Sequence, residues 1–234
     1  MFTIRHRPVH PRNFVSGPFV RKLSQAIRVA ALQNIETKPI KRKFSDRFAK
    51  KTAFRVEASR FLTNEEIKGF EALKMDKENI SIFYPGSGND ILRPLMLLGN
   101  FKTARIILAD KNLDPDMAAG YFSEITGCRN FTKLGNTYSF EFTDRTVMIE
   151  CHEIDVLLKF PDINDIDVYF ERAFQIFRQA SPDFFLQVKM KLAKEAKIIS
   201  DYGDIFGMEK IEVPEEAKAI GFYKNLGVYR FNGF

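Results

Sequence analysis

From Ile80 onward, short apolar runs alternate with amphipathic stretches. "ISIFY" (80–84) and "ARIILA" (104–109) are too short for helices and predict strands with both faces covered. Residues 90–99 between them predict a helix. "DPDMAAGYFSEITG" (114–127) predicts another, with Asp114 as N-cap, Pro115 at the first position and Gly127 at the end. "TYSFEF" (137–142) and "TVMIEC" (146–151) flank Thr143-Asp144-Arg145 and predict a hairpin. Residues 166–171 (IDVYFE) and 196–201 (AKIISD) read as strands, and 172–195 as a long helix interrupted at Ser181-Pro182. "AIGFYKNLGVYRF" (219–231) alternates around Asn225-Leu226-Gly227 and predicts a terminal antiparallel pair. Upstream, Thr63 with Glu66 three residues on is a capping-box start for a helix over 63–74. This order argues for an α/β fold over residues 61–234. The expected form is a Rossmann-like three-layer sandwich with a mostly parallel sheet that ends in an antiparallel hairpin.

The first 60 residues follow another pattern. Pro8, Pro11, Gly17 and Pro18 break any period, and "VRKLSQAIRVAALQNI" (20–35) puts Leu23, Ile27, Ala30 and Ala31 on one helical face. This basic, partly helical arm holds 15 Lys/Arg against Glu36, Asp46 and Glu57, a net of +12, whereas residues 61–234 carry a net of −6. Lys41, Arg42, Lys43, Arg47, Lys50 and Lys51 interleave with Phe44, Phe48 and Phe54. Cations beside aromatics can grip phosphates and stack bases, which would make RNA a partner. Equally, the phenylalanines can face the body or a protein partner while the cations face water. Five Arg and no acid before Glu36 match a mitochondrial presequence in composition. Location is thus read as cytoplasmic, or as the mitochondrial matrix if residues 1–35 are an address. No run of 18 apolar residues occurs, so no membrane-spanning segment is expected. Two cysteines, Cys128 and Cys151, suit a reducing compartment.

Candidate chemistry gathers around "YPGSGND" (84–90) and Asp110. In doubly wound sheets, ligands lie beyond the carboxyl ends of the strands, where strand order reverses. Gly86 and Gly88 permit positive φ and close backbone approach, Ser87 offers a hydroxyl, and Asn89 or Asp90 can cap the next helix. Ile91 stands where a dinucleotide fingerprint has its third glycine, and no G-K-[ST] follows. A carboxylate at Asp90 would compete with a pyrophosphate for the helix N–H groups. A ligand with positive charge nearby suits the turn better, and S-adenosylmethionine is one. Asp110 either initiates the turn in "DKN" or accepts hydrogen bonds from ribose hydroxyls.

This constellation resembles the Rossmann-like class I S-adenosylmethionine-dependent methyltransferases over residues 63–234. Gly86 and Gly88 match the first two glycines of that family's acid-x-Gly-x-Gly-x-Gly loop. Tyr84 stands in place of the acid and Asp90 in place of the third glycine. The resemblance implies S-adenosylmethionine as cofactor, with Tyr84, Gly86, Ser87, Gly88 and Asp90 around its methionyl part and Asp110 on the ribose. It further implies Glu153 of "ECHEID", or Asp155, on adenine, Glu171 and Arg172 over the methyl group, and a reversed last strand. Neither [DN]-P-P-[YF] nor Pro-Cys occurs, so the methyl acceptor stays open, as does the choice between a methyltransferase and a silent scaffold of the same fold. Cys151 and His152 are adjacent on a strand and point to opposite faces, which argues against a shared metal or nucleophile. No metal site is expected. His152 and Glu171 are the candidate catalytic residues, His152 as a base.

Overall fold

The computed structural model describes residues 61–116, 128–142, 144–201, 205, 208–221 and 224–233. The arm, including Lys41, Arg42, Lys43, Arg47, Lys50 and Lys51, lies outside the described residues, as does most of the helix expected at 114–127. Of that helix, 115–116 are helical, and the Asp114 carboxylate caps Asp116 N–H at 3.1 Å.

Strands β1 (Asn79–Pro85), β2 (Thr103–Asp110), β3 (Cys128–Leu134), β4 (Thr137–Phe142), β5 (Arg145–Glu153), β6 (Ile166–Glu171), β7 (Leu192–Ser200), β8 (Glu209–Ile211) and β9 (Gly227–Arg230) build one sheet. Its order is β3-β4-β5-β2-β1-β6-β7-β9-β8. The central β5-β2-β1-β6-β7 are parallel, and antiparallel strands flank them at both edges. The chain moves outward one way from β1 to β2 and the other way from β1 to β6. The crevice between the carboxyl ends of β1 and β6 is therefore the switch point where ligands bind in such sheets.

Helices cover both faces. Helix α1 (Asn64–Ala72) starts at Thr63, whose hydroxyl accepts from Glu66 N–H while the Glu66 carboxylate accepts from Thr63 N–H, the capping box expected from sequence. Alternation along β1 and β6 sends Tyr84 and Phe170 toward α1, where Phe170 meets Phe70. Phe83 and Tyr169 point the other way, into a core with Ile107, Phe174, Phe184 and Val188. Phe184 and Val188 belong to α4 (Pro182–Lys191), which follows α3 (Gln175–Ala180) after a break at Ser181. These layers confirm the three-layer α/β sandwich.

Several boundaries differ from expectation. Helix α2 spans only Leu92–Met96 because Gly99 N–H turns to Met75 O and Leu98 bridges to Met75, pulling the chain out of the helix. Residues 192–195 are strand, since Leu192 pairs with Ile166, and Glu195 takes a left-handed bend at an irregularity. The sheet ends in an antiparallel pair as expected, but that pair is β8–β9 and not a hairpin within 219–231. Residues Glu215–Ile220 form a 3-10 helix packed on Gly69 of α1, and β9 pairs with β7 and β8 instead. The reversed last strand is present, but its partners lie elsewhere in the chain. Strand β3 had no sequence signal. It is exposed and lacks alternation, joins β4 through the left-handed Gly135, and shifts register between Arg129 and Thr132 with Asn130 at φ 52°.

Candidate functional site

The glycine turn emerges from β1 at the switch point. Gly86 (φ 62°) and Gly88 (φ 53°) both adopt the left-handed conformation anticipated for them. Gly86 N–H donates to Ala109 O at 2.8 Å, keeping the turn in register with the end of β2. Gly88 N–H then donates to Asp110 Oδ2 at 3.0 Å, across 22 residues of sequence. Asp110 Oδ1 accepts from Asn112 N–H at 2.7 Å. Asp110 is level with Glu153 in the parallel β2–β5 register, and Ile154 N–H donates to Asp110 O at 3.2 Å. Registered residues of neighbouring strands share a face, so Gly88, Asp110 and the exposed Glu153 form one row along the strand ends. A Cβ at Gly88 would meet nothing within 4 Å, so the turn faces open space there. Each Asp110 oxygen keeps a second acceptor site after its backbone bond. Together, the row sets two carboxylates at the strand ends beside the glycine turn.

The other end of the turn is crowded. A Cβ at Gly86 would overlap the ring of Phe174, which lies just past β6 and also packs on Phe177 and Phe184. Asp90, 5% exposed, accepts from Arg93 N–H (3.2 Å, Oδ1), Arg93 Nη1 (2.9 Å, Oδ2) and Tyr84 OH (3.3 Å). Its carboxylate is thus committed to Arg93, which offers a different use from a ligand ammonium. Arg93 Nη2 continues to Glu66 Oε1 at 2.9 Å, and Arg172 Nη2 approaches the same oxygen at 3.5 Å. Burial opposes the Arg93 charge, yet Asp90, Tyr84 and Glu66 hold the guanidinium above its ordinary pKa. Burial likewise opposes ionisation of Glu66, but Thr63 N–H and Arg93 hold its carboxyl below the ordinary range. Tyr84 is pushed well up by burial and by Asp90, so it stays a neutral donor. Ser87, 5% exposed, turns its hydroxyl to Gly88 O at 3.1 Å. Sequence reasoning did not single out Arg93. A lone cation in the apolar run "ILRPLMLL" is the signal that a buried carboxylate waits nearby.

The two candidate catalytic residues lie on the opposite face from the row. Glu171 is fully buried and accepts from Arg178 Nε (2.8 Å), Tyr169 OH (2.8 Å) and Ser200 Oγ (2.6 Å). His152 shares its face of β5 with Glu150. Its Nε2 is 3.6 Å from Glu150 Oε2, beyond hydrogen-bond reach, whereas Arg105 holds both Glu150 oxygens at 2.6 and 3.0 Å. Burial works against ionisation of Glu150, but His152 and Arg105 bring its carboxyl down to about 2, and the distances assign most of that to Arg105. Cys151 is buried as a free thiol, pushed by burial up to about 12, which suits core packing rather than nucleophilic chemistry. Among the described residues, no cluster of three or more His, Cys, Asp or Glu could hold a metal, and no helix is long and apolar enough to cross a membrane.

No protein-family model matches the sequence, and a search of curated proteins finds no match. Among solved structures the chain is similar to a methyltransferase from Geobacter sulfurreducens, at 15% identity and TM-score 0.42, over 92% of this chain and 91% of that one. It is also similar to a TehB-like SAM-dependent methyltransferase from Corynebacterium glutamicum, at 12% identity and TM-score 0.41, over 77% and 93%. A third is the [4+2]-cyclase SpnF, at 8% identity and TM-score 0.43, over 72% and 80%.

Proposed function

We propose that the crevice beyond β1, β2 and β5 binds S-adenosylmethionine by its adenosine, and that the chain is a methyltransferase-like protein with its acceptor still to be identified. The observation that carries this reading is the Gly88 N–H to Asp110 Oδ2 bond at the switch point, beside open space over Gly88. In this reading Asp110 accepts from the ribose hydroxyls and Glu153 from the adenine amino group. Gly86, Ser87 and Gly88 form the floor of the turn. Tyr84 and Asp90 act through Arg93, keeping the start of α2 in place. Bound there, the cofactor would supply an electrophilic methyl group. Positioning would carry much of the rate, since His152 and Glu171 stand outside the row. Calorimetric titration with S-adenosylhomocysteine tests the reading. Asp110→Ala should weaken binding by roughly 1–3 kcal/mol, the range for hydrogen bonds to a charged group. Unchanged affinity would remove Asp110 from the site.

A second reading, a catalytically silent scaffold, is favoured by Phe174 lying on Gly86 and by the commitment of Asp90 to Arg93. Absent or millimolar binding of S-adenosylhomocysteine to the intact chain would support it. In either case the basic arm is the proposed contact for RNA or a protein partner, through Lys41, Arg42, Lys43, Arg47, Lys50 and Lys51. RNA binding should then fall steeply with salt and disappear on deleting residues 1–60. Localising full-length and truncated protein decides between a cytoplasmic and a mitochondrial address.

A further inference from the structure

Strand β7 ends at Ser200, and the next residue, Asp201, is 2% exposed. Its Oδ2 accepts from Ala173 N–H at 2.7 Å. Ala173 is left-handed (φ 60°), a conformation that disfavours a residue with a Cβ, so its surroundings must hold it there. Phe174 follows at once and lies on Gly86. Two contacts joined by the Ala173–Phe174 peptide therefore run from the end of β7 through the β6–α3 corner to the glycine turn. Asp201 Oδ1 is buried and has no hydrogen-bond partner among the described residues. A buried carboxylate with only one oxygen satisfied opposes folding when ionised, so the fold alone gives little reason for an acid here.

We propose that Asp201 is a positioning residue of the crevice, and that its ionisation biases the β6–α3 corner to swing Phe174 off Gly86, while its protonation favours the seated corner. The sign follows from linkage. Burial raises the Asp201 carboxyl from the ordinary 3.8 to about 6, and the Glu171 charge pushes the same way. Ala173 N–H and the Arg172 charge oppose this. Among the described residues, Tyr169, whose hydroxyl Asp201 pushes up, and Arg178, paired with Glu171, are the other charged or titratable groups that face it. A corner that opens Asp201 to water returns it toward the ordinary value. The seated corner then holds its proton more tightly, and raising the pH through 6 shifts the balance toward the open corner. Full hydration on opening corresponds to about two powers of ten in that balance. A merely structural, salt-bridged Asp would shift stability with the opposite sign.

The chain contains no Trp, so Phe177→Trp, whose ring neighbours Phe174 at 5.6 Å and is half exposed, gives a single reporter on the corner. Its fluorescence should change as the pH rises from about 4 to 6 and level off above 6. Asp201→Asn in the same background should keep the low-pH signal throughout, since Asn can still accept from Ala173 N–H without a charge. Thermal unfolding gives an independent arm. Asp201→Asn should be more stable than wild type at pH 8, with the difference closing toward pH 4. A reporter signal flat across pH 4–7, or a transition that persists in Asp201→Asn, overturns the proposal. So does an Asp201→Asn protein less stable than wild type at pH 8. Neither arm uses a cofactor, so the result stands apart from the titration that tests the adenosine reading.

Discussion

The fit between Gly86 and Phe174 can be separated from the need for left-handed backbone by comparing two alanines. Gly86 and Gly88 have similar positive φ, 62° and 53°, but a Cβ at 86 overlaps the Phe174 ring while one at 88 meets nothing within 4 Å. Placing Ala in the left-handed region costs roughly 1–2 kcal/mol at either site. Forcing a methyl into the packed ring adds about 1–3 kcal/mol at 86 alone. Gly88→Ala should therefore lose roughly 1–2 kcal/mol and Gly86→Ala roughly 2–5 kcal/mol. For a chain of this size, that is a fall in Tm of about 2–8 °C against about 4–20 °C. Urea denaturation of both variants measures the difference. In a Phe174→Ala background, the Gly86→Ala loss should shrink to about 1–2 kcal/mol, because only the backbone strain remains. Equal losses at 86 and 88, with no coupling to Phe174, would refute the contact. The same pair bears on ligand binding. Gly88→Ala folds with modest loss but places its methyl in the open crevice, so it should weaken S-adenosylhomocysteine binding at least about tenfold, or about 1.4 kcal/mol.

Arg178→Ala strands the fully buried Glu171 and should cost roughly 3–5 kcal/mol in urea denaturation, whereas replacing both partners by Met should cost less. Glu150, held down to about 2 by His152 and above all by Arg105, contributes stability above its ordinary pKa of 4.5 that is lost as pH falls from 4.5 toward 2. Acid titration of stability should show that loss, roughly 2–3 kcal/mol, largely missing in Arg105→Ala. Arg93→Met leaves Asp90 and Glu66 buried without their shared cation and should destabilise by several kcal/mol, on the order of 3–5.

The central strands were legible because both of their faces are covered, which leaves near-continuous apolar runs, broken only by Ser81 in ISIFY and Arg105 in ARIILA. Thr63 and Glu66 were legible because a capping box is local, and Gly86 and Gly88 because only glycine takes positive φ without strain. The proximity of Asp110 to the turn followed from two parallel neighbours ending level with each other. What could not be read depends on distant partners. Whether 219–231 forms a hairpin depends on Gly69, far upstream in sequence but adjacent in space, accepting the 3-10 helix. The commitment of Asp90 depends on the Arg93 guanidinium that Glu66 shares, and Asp201 holds the Ala173 N–H beside Phe174. Strand β3 was silent because a strand with no buried face has no hydropathy signature.

The register break in β3 bears on how the molecule behaves at high concentration. Among the described residues, an outermost strand of seven residues has no partner on its outer side, and a straight one would template stacking into fibrils. Here Asn130 turns left-handed in mid-strand, and Lys133 carries charge on the rim. The opposite rim, β8, is three residues long. With neither border offering a long flat seam, the sheet is guarded against self-polymerisation at both ends.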